Sequence, residues 1–390
     1  MKPLSQTVQQ MPRSGIRVVL DLAVRIPDAI HLEIGQPDFV TPPYIIAAAH
    51  QAMQQGFTKY TPNAGLLSLR EAIAQKAVRE NGLNVTADHV VVTTGGMGGL
   101  FASAAVTLDP GDEVLVPDPG YPNYEMMAML CHASIVRYPL SDIEQGFLPI
   151  MDALPGLVTE RTKAIVINSP SNPTGAVIPQ ELLQDMVAFA RKYDLYIISD
   201  ECYEKLVFDA RHVSPAVFDT EGRVISVFSF SKTYAMTGWR VGYTISTPEI
   251  AALISKLHEA TVACVSAVSQ KGAEAALAGP QDCVALMRDE YRRRRDSVVD
   301  ILAAHGLKTY LPQGAFYLLI DITGCGVDSD QAARELLTQQ HVAVAPGRTF
   351  GTLGNRYIRI SLAASQAELV EGVGRICRYL QEKRGGLGSE

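Results

Sequence analysis

The chain has 390 residues, 47% of them hydrophobic and 19% charged, with a formal net charge of −7. That length supports a large core and two domains, and the composition excludes a disordered or fibrous chain. The negative balance argues against a broad nucleic-acid or anionic-membrane footprint.

The N-terminal stretch "MKPLSQTVQQMPRSGIRVVLDLA" has no uninterrupted apolar core of a signal peptide, and no segment reaches the apolar length of a membrane span. From about residue 65 to 250, short β-rich runs alternate with helical patterns. The runs are "HVVVTT" (89–94), "EVLVP" (113–117), "SIVRY" (134–138), "KAIVIN" (163–168), "LYIIS" (195–199), "VISVFS" (224–229) and "VGYTIS" (241–246). Continuous Val/Ile runs suit strands buried on both faces, so the expected fold class is α/β, with a mostly parallel central sheet flanked by helices. One member of the last pair is a candidate antiparallel strand. A large domain is expected over 51–285. The later pattern, a long helix, "AFYLLIDIT", a further helix and "YIRISLA", reads as a smaller α+β domain over 286–390 with residues 1–50 as part of it. The run Arg292-Arg293-Arg294-Arg295 lies in that long helix beside Asp289, Glu290 and Asp296, and reads as a solvated face. The tail "KRGGLGSE" is expected to fray. Six cysteines, Cys131, Cys202, Cys264, Cys283, Cys325 and Cys377, are widely spaced with no CxxC pair. With neither a disulfide nor a metal pattern, a reducing, cytoplasmic setting is expected.

Chemically useful residues fall at the carboxyl ends of the expected strands. "HVVVTT" opens into "GGMGGLF", "EVLVP" into "DPGYPNY" with Tyr121 and Tyr124, and "KAIVIN" into "SPSNPTG" with Asn172. "LYIIS" opens into "DECY" with Asp200 and Tyr203, and "VISVFS" into Lys232. In a doubly wound sheet these ends share one crevice where ligands bind. Taken singly each has an ordinary structural explanation. The Gly-rich turn matches neither the P-loop nor the dinucleotide fingerprint, Asp200 can cap a helix, and "NPTG" is a turn in its own right.

One ligand accounts for all five. Free N–H groups at the start of a helix suit a phosphate, to which Ser229 and Arg240 add a hydroxyl and a fixed cation. Tyr121 offers a flat face to an aromatic ring. Asp200 would stay ionised beside a protonated ring nitrogen. Asn172 and Tyr203 can hydrogen-bond a phenolate oxygen, and Lys232 supplies an amine for an aldehyde. Phosphate, aromatic ring, pyridinium, phenolate and aldehyde together describe pyridoxal 5′-phosphate.

The segments "LEIGQPDF", "KYTPNAGLLSLREAI", "VTTGGMGGLF", "NSPSNPTG", "SDECY", "SFSKTYAMTGWRVGY" and "YIRISLA" resemble, in order, the signature segments of class I/II aminotransferases, the fold-type-I pyridoxal-phosphate enzymes. The resemblance runs from about residue 10 to 363. It implies that Lys232 holds the cofactor covalently, that Asp200 pairs its ring nitrogen, and that Asn172 and Tyr203 hold the ring oxygen. It also implies that Tyr121 stacks on the ring, and that Gly96, Met97 and Gly98 present N–H groups to the phosphate beside Ser229 and Arg240. Tyr60 matches a tyrosine that reaches the phosphate of a neighbouring subunit, so a homodimer with shared sites is implied. Arg359 and Gly35 match groups that hold the substrate α-carboxylate, with Asn172 beside them, and the arginine fork makes a bidentate pair that a lysine would not. Without the resemblance, Arg359 would read as a small-domain salt bridge.

The implied reaction is a ping-pong transfer from an amino acid to a 2-oxo acid such as 2-oxoglutarate. Lys232 acts as the base, so its pKa should be lowered by its surroundings. Met97 occupies a position where some aspartate-specific relatives carry lysine, and its uncharged thioether favours a neutral or aromatic donor. Arg13 and Arg17 keep an acidic donor open. β-Elimination (a C–S or β-lyase) on the same cofactor is the alternative chemistry, and a non-enzymatic cofactor-binding regulator is the alternative without chemistry. Ser231 either touches the phosphate or completes the turn.

Overall fold

A computed structural model describes residues 2–386. Seven of its strands form one sheet: β2 (Val90–Thr93), β3 (Glu113–Asp118), β4 (Ser134–Pro139), β5 (Thr162–Asn168), β6 (Tyr196–Asp200), β7 (Val224–Ser229) and β8 (Gly242–Ile245), after a short β1 (Ile30–His31). Their order is β2-β8-β7-β6-β5-β3-β4, and β8 alone runs antiparallel to both its neighbours. All seven strands expected from the Val/Ile runs are present, and the antiparallel member is the last of them. β2, β3 and β8 are buried at every position, and β5, β6 and β7 at all but one, which is why periodicity of two is absent from their sequences.

Helices cover both faces. Gln180–Lys192 turns Leu183, Met186, Val187 and Ala190 onto one buried stripe at helical spacing. Gly95–Thr107 instead buries Gly96, Gly99, Leu100 and Ser103 between the sheet and a second helix layer, and its small residues permit that close approach. Gly242 shows how tight this region is. An added Cβ would lie 2.7 Å from both the Gly95 carbonyl carbon and the Phe228 oxygen, and 2.9 Å from the Gly96 nitrogen, all backbone atoms that cannot rotate away. Gly242→Ala is therefore expected to destabilise the protein by about 3 kcal/mol, read as a lower denaturant midpoint at constant m-value.

The chain beyond the seventh sheet strand adds β9 (Tyr317–Asp321), β10 (Val342–Ala343), β11 (Ala345–Pro346) and β12 (Tyr357–Ser361). β11, β12 and β9 form an antiparallel sheet, and β10 pairs in parallel with β1 from the N-terminal segment. In the β12–β9 register Arg359 faces Leu319 and Ser361 faces Tyr317, so Arg359 and Tyr317 are diagonal neighbours on one face. Val19, Ala23 and Leu32 share a core with Val298, Leu302, Ile320, Ile360 and Leu369. The helix Pro43–Gln54 crosses residue 50 and packs Ile45 into the core around Val92 and Tyr243. A cut at 285 would likewise fall inside the helix Asp282–Ala304.

The arginine run is a correction. Arg292 and Arg293 are exposed, but Arg294 and Arg295 are buried. At 100° per residue four consecutive side chains cannot share one solvated face. Arg294 makes a bidentate pair with Asp38 (2.8 Å each) and bonds Glu290, tying the N-terminal segment to this helix. Arg295 bonds Asp209, Asp296 and the Pro312 carbonyl. The frayed tail expected from residue 383 is helical to Gly386, and residues 387–390 lie outside those described. Among the described residues, no helix is long and apolar enough to cross a membrane.

Candidate active site

The carboxyl ends of β3, β5, β6 and β7, with the helix that follows β2, open onto one cavity of about 1120 Å³. Gly96, Met97, Tyr121, Asn172, Asp200, Tyr203, Ser229, Lys232 and Arg240 all line it. So do Gly35 and Arg359, from outside the seven-stranded sheet, and Ser231, Arg13 and Arg17. Gly98 and Tyr60 are not brought in. An added Cβ at Gly98 would meet Thr94 Oγ1 at 2.3 Å, so that position packs against the start of its own helix. Tyr60 is 89% exposed and does not line this chain's cavity.

An anion cradle forms at one end. Gly95 adopts φ +73°, which a side chain would strain, and a Cβ there would come within 2.9 Å of Arg240. The glycine thus lets the guanidinium lie across the first turn of the helix, held by Nη1 donating to the Thr237 carbonyl at 2.9 Å. Ser229 Oγ accepts from the Ser231 N–H at 3.1 Å, so Ser231 completes the turn into the short helix that carries Lys232. Backbone donors, a hydroxyl and a cation meet here, the combination that binds a phosphate.

At the centre, Asp200 is buried. Tyr124 donates to its Oδ2 at 2.7 Å and the Cys202 N–H to its Oδ1 at 3.3 Å. Burial nevertheless raises its pKa, outweighing those two bonds, and among the described residues it has no cationic side-chain partner. Lys232 Nζ donates to the Gly35 carbonyl at 2.7 Å. Burial, with Arg240 and Arg359 adding like charge, lowers its pKa to about 8 against the pull of Cys202 and Asp200. The direction and causes are those expected from the sequence. Tyr203 is held neutral, its pKa well above the usual phenol range through burial and the neighbouring Tyr317.

Opposite the cradle lies Arg359, fully buried on β12. Its Nη1 donates to Asn172 Oδ1 at 3.0 Å, its Nη2 to the Glu33 carbonyl, and its Nε has no partner. A carboxylate entering the cavity finds a cation already desolvated and oriented. Among the described residues Arg359 makes no salt bridge of the kind that "RISLA" suggests by itself, because the β12–β9 register turns it inward.

The Met97 sulfur receives weak contacts from Tyr121 Oη (3.7 Å) and Asn123 Nδ2 (3.6 Å). Leu100 packs in the same core cluster as Met97, and Met126, Ile16 and Leu20 are further apolar residues of the cavity lining. Asn123, Met126, Cys202 and Tyr317 are site residues that sequence reasoning did not assign. Cys202 and Asn123 sat inside quoted motifs without a role, whereas nothing marked Tyr317 within "AFYLLIDIT".

Residues 27–376 match the family described as aminotransferase class I and II. The chain belongs to that family. This aminotransferase is 38% identical over 387 residues to an aspartate/prephenate aminotransferase of Thermus thermophilus, covering 97% of this chain and 99% of the relative. Its fold superposes with a TM-score of 0.93 on a structure described as aspartate aminotransferase from Thermus thermophilus with maleate, at 38% identity, 97% of this chain and 100% of that one. A structure described as an aromatic aminotransferase from Pyrococcus horikoshii superposes with a TM-score of 0.89 at 38% identity, over 95% and 99% of the two chains. The enzyme thus has the fold of the fold-type-I aminotransferases and moves the amino group of an amino acid to a 2-oxo acid.

Proposed function

We propose that this aminotransferase works with pyridoxal 5′-phosphate held by Lys232, and takes a neutral or aromatic amino acid as donor and a 2-oxo acid such as 2-oxoglutarate as acceptor. The observation that carries the reading is one cavity that gathers Arg240, Lys232, Arg359 and Asp200, a buried carboxylate with no salt-bridge partner among the described residues. The residues fit the group. A protonated ring nitrogen supplies the cation that Asp200 lacks, and the helix start at Gly95–Gly96 with Ser229 and Arg240 supplies a dianion site. When bound, pyridoxal 5′-phosphate supplies a carbonyl that condenses with amines and a ring that accepts the electrons of the Cα–H bond.

The chain's own groups do the rest. Arg359 and Asn172 would grip the substrate α-carboxylate. Lys232 Nζ, neutral in a larger fraction because of its lowered pKa, takes the Cα proton. With the cofactor bound, Asp200 would keep the ring nitrogen protonated, and Tyr203 and Asn172 would hold the ring oxygen. Tyr121, whose hydroxyl contacts the Met97 sulfur, would stack on the ring. With the carboxylate gripped at Arg359 and Lys232 as the base, loss of the Cα proton, the first step of amino transfer, is favoured over loss of the carboxylate.

The apolar lining residues Met97, Leu100 and Met126 support the neutral or aromatic donor. An acidic donor is the second reading, favoured by Arg17 in the cavity wall; Arg13 beside it is engaged by Asp21 at 2.7 Å. The exposed Tyr60 supports a homodimer in which that residue serves the partner's phosphate site, and six cysteines without a paired spacing support a cytoplasmic setting. The test is a half-reaction screen. Each amino acid is added to cofactor-loaded protein, and loss of the cofactor's visible band is followed together with the 2-oxo acid released. Phenylalanine, tyrosine or leucine should react at least about tenfold faster than aspartate; the reverse order selects the acidic reading, and no reaction with any amino acid sinks both.

A further inference from the structure

Tyr317 touches three parts of the site at once. Its hydroxyl lies 2.9 Å from the Tyr203 hydroxyl, and its ring centroid lies 4.3 Å from the Arg359 guanidinium carbon. An added Cβ at Gly35 would fall 1.8 Å from the Tyr317 hydroxyl oxygen, so Gly35 leaves the space that this hydroxyl fills. The Gly35 carbonyl in turn accepts from Lys232. Tyr317 itself is buried. Its position follows from the strand register, which puts Tyr317 and Arg359 diagonally on one face of the β9–β12 pair.

We propose that Tyr317 is a positioning residue that fixes both the direction of the Tyr203 hydroxyl proton and the plane of the Arg359 guanidinium. The inference rests on the cofactor reading above.

A phenol has one proton and accepts with its lone pairs. If Tyr203 is to donate to the cofactor's ring oxygen, its contact with Tyr317 must run the other way, with Tyr317 donating. A donor that itself accepts a hydrogen bond is polarised and donates more strongly. Donation to the ring oxygen draws electron density from the conjugated system, which lowers the affinity of the Lys232-linked nitrogen for a proton. Removing the Tyr317 hydroxyl should therefore raise the pH midpoint of the bound cofactor's visible band. The ring has a separate role. Together with Phe350, whose centroid is 4.9 Å from the guanidinium carbon, it holds Arg359 flat for a carboxylate. Phenylalanine would keep that contact and leucine would lose it.

The experiment is a spectrophotometric pH titration of cofactor-loaded wild type, Tyr317→Phe, Tyr203→Phe and the double variant, without substrate. It is paired with steady-state kinetics of Tyr317→Phe and Tyr317→Leu on the donor found to turn over. Tyr317→Phe should raise the midpoint by about half a pH unit, and should add nothing in the Tyr203→Phe background. Its KM should stay near wild type, while Tyr317→Leu should raise KM about tenfold. An unmoved midpoint in Tyr317→Phe, an equal shift with Tyr203 already replaced, or a wild-type KM in Tyr317→Leu overturns the proposal. Should the leucine variant lose native circular dichroism, the nearly isosteric Phe variant decides by its titration. A wild type with no titratable visible band overturns the cofactor reading and this inference with it, whereas a normal wild-type band beside an unmoved Phe variant overturns only the inference.

Discussion

Lys232→Ala is expected to lower the rate of amino transfer by at least about 10⁴-fold, because it removes the covalent tether and the general base together. The fold should survive, since the Lys232 ammonium makes a hydrogen bond only to the Gly35 carbonyl and otherwise sits in the cavity wall. The variant should still take up pyridoxal 5′-phosphate through the cradle at Gly95, Ser229 and Arg240, but without the covalent band. A pH dependence distinguishes this from general damage. With a pKa of about 8, roughly a tenth of Lys232 is neutral at pH 7, against about one part in 3000 at an ordinary lysine pKa. The neutral amine is the reactive form and becomes populated as pH rises. Capture of the cofactor by the uncombined protein should therefore accelerate tenfold per unit below about pH 8 and level off above it. Lys232→Ala should show no such limb. Residual transfer within a factor of ten of wild type would remove Lys232 from the mechanism.

The sheet was legible because its strands are buried on both faces, and runs such as "HVVVTT" and "KAIVIN" carry that burial in their composition. Five loops at one edge followed from parallel topology, so Tyr121, Asn172, Asp200 and Lys232 could be placed in one crevice before any coordinates. What was not legible depended on distant pairing. β1 meets β10 through a contact spanning some three hundred residues, and no local pattern announces it. Arg294 and Arg295 read as solvated because charge runs usually are; burial became possible only once Asp38 and Asp209 arrived from other segments. Tyr317 hid inside a core strand, since a hydroxyl matters there only because Tyr203 lies 2.9 Å away. The bounds at 50 and 285 fall inside the helices Pro43–Gln54 and Asp282–Ala304, because composition alone does not mark where a helix begins or ends.

Asp200→Asn is expected to cost about 10³-fold in the half-reaction while leaving the cofactor bound. The substitution keeps the volume and removes the charge. In the wild type, burial, with the like charge of Glu201 adding to it, pushes the Asp200 pKa up, and the bonds from Tyr124 and the Cys202 amide only partly offset that. A protonated ring nitrogen reverses the balance, since the carboxylate and the cation each stabilise the charged form of the other in a site that excludes water. An asparagine can turn its carbonyl oxygen toward either Tyr124 or the Cys202 N–H, but then faces the other donor with its own NH₂. With the oxygen on the Cys202 N–H, the Tyr124 hydroxyl can turn to accept from that NH₂, so both contacts survive and stability should change by no more than about 1 kcal/mol. The larger effect is on the reaction. Without a carboxylate the ring nitrogen has no reason to hold its proton, and the electrons of the Cα–H bond lose their acceptor; removing one such preorganised charge costs about 10²–10³-fold. The signature is a split: the Lys232-linked visible band persists in Asp200→Asn and vanishes in Lys232→Ala, although both variants are nearly inactive. Equal loss of the band in the two would mean that Asp200 holds the cofactor in place instead of tuning its ring, and a half-reaction within tenfold of wild type would deny it either role.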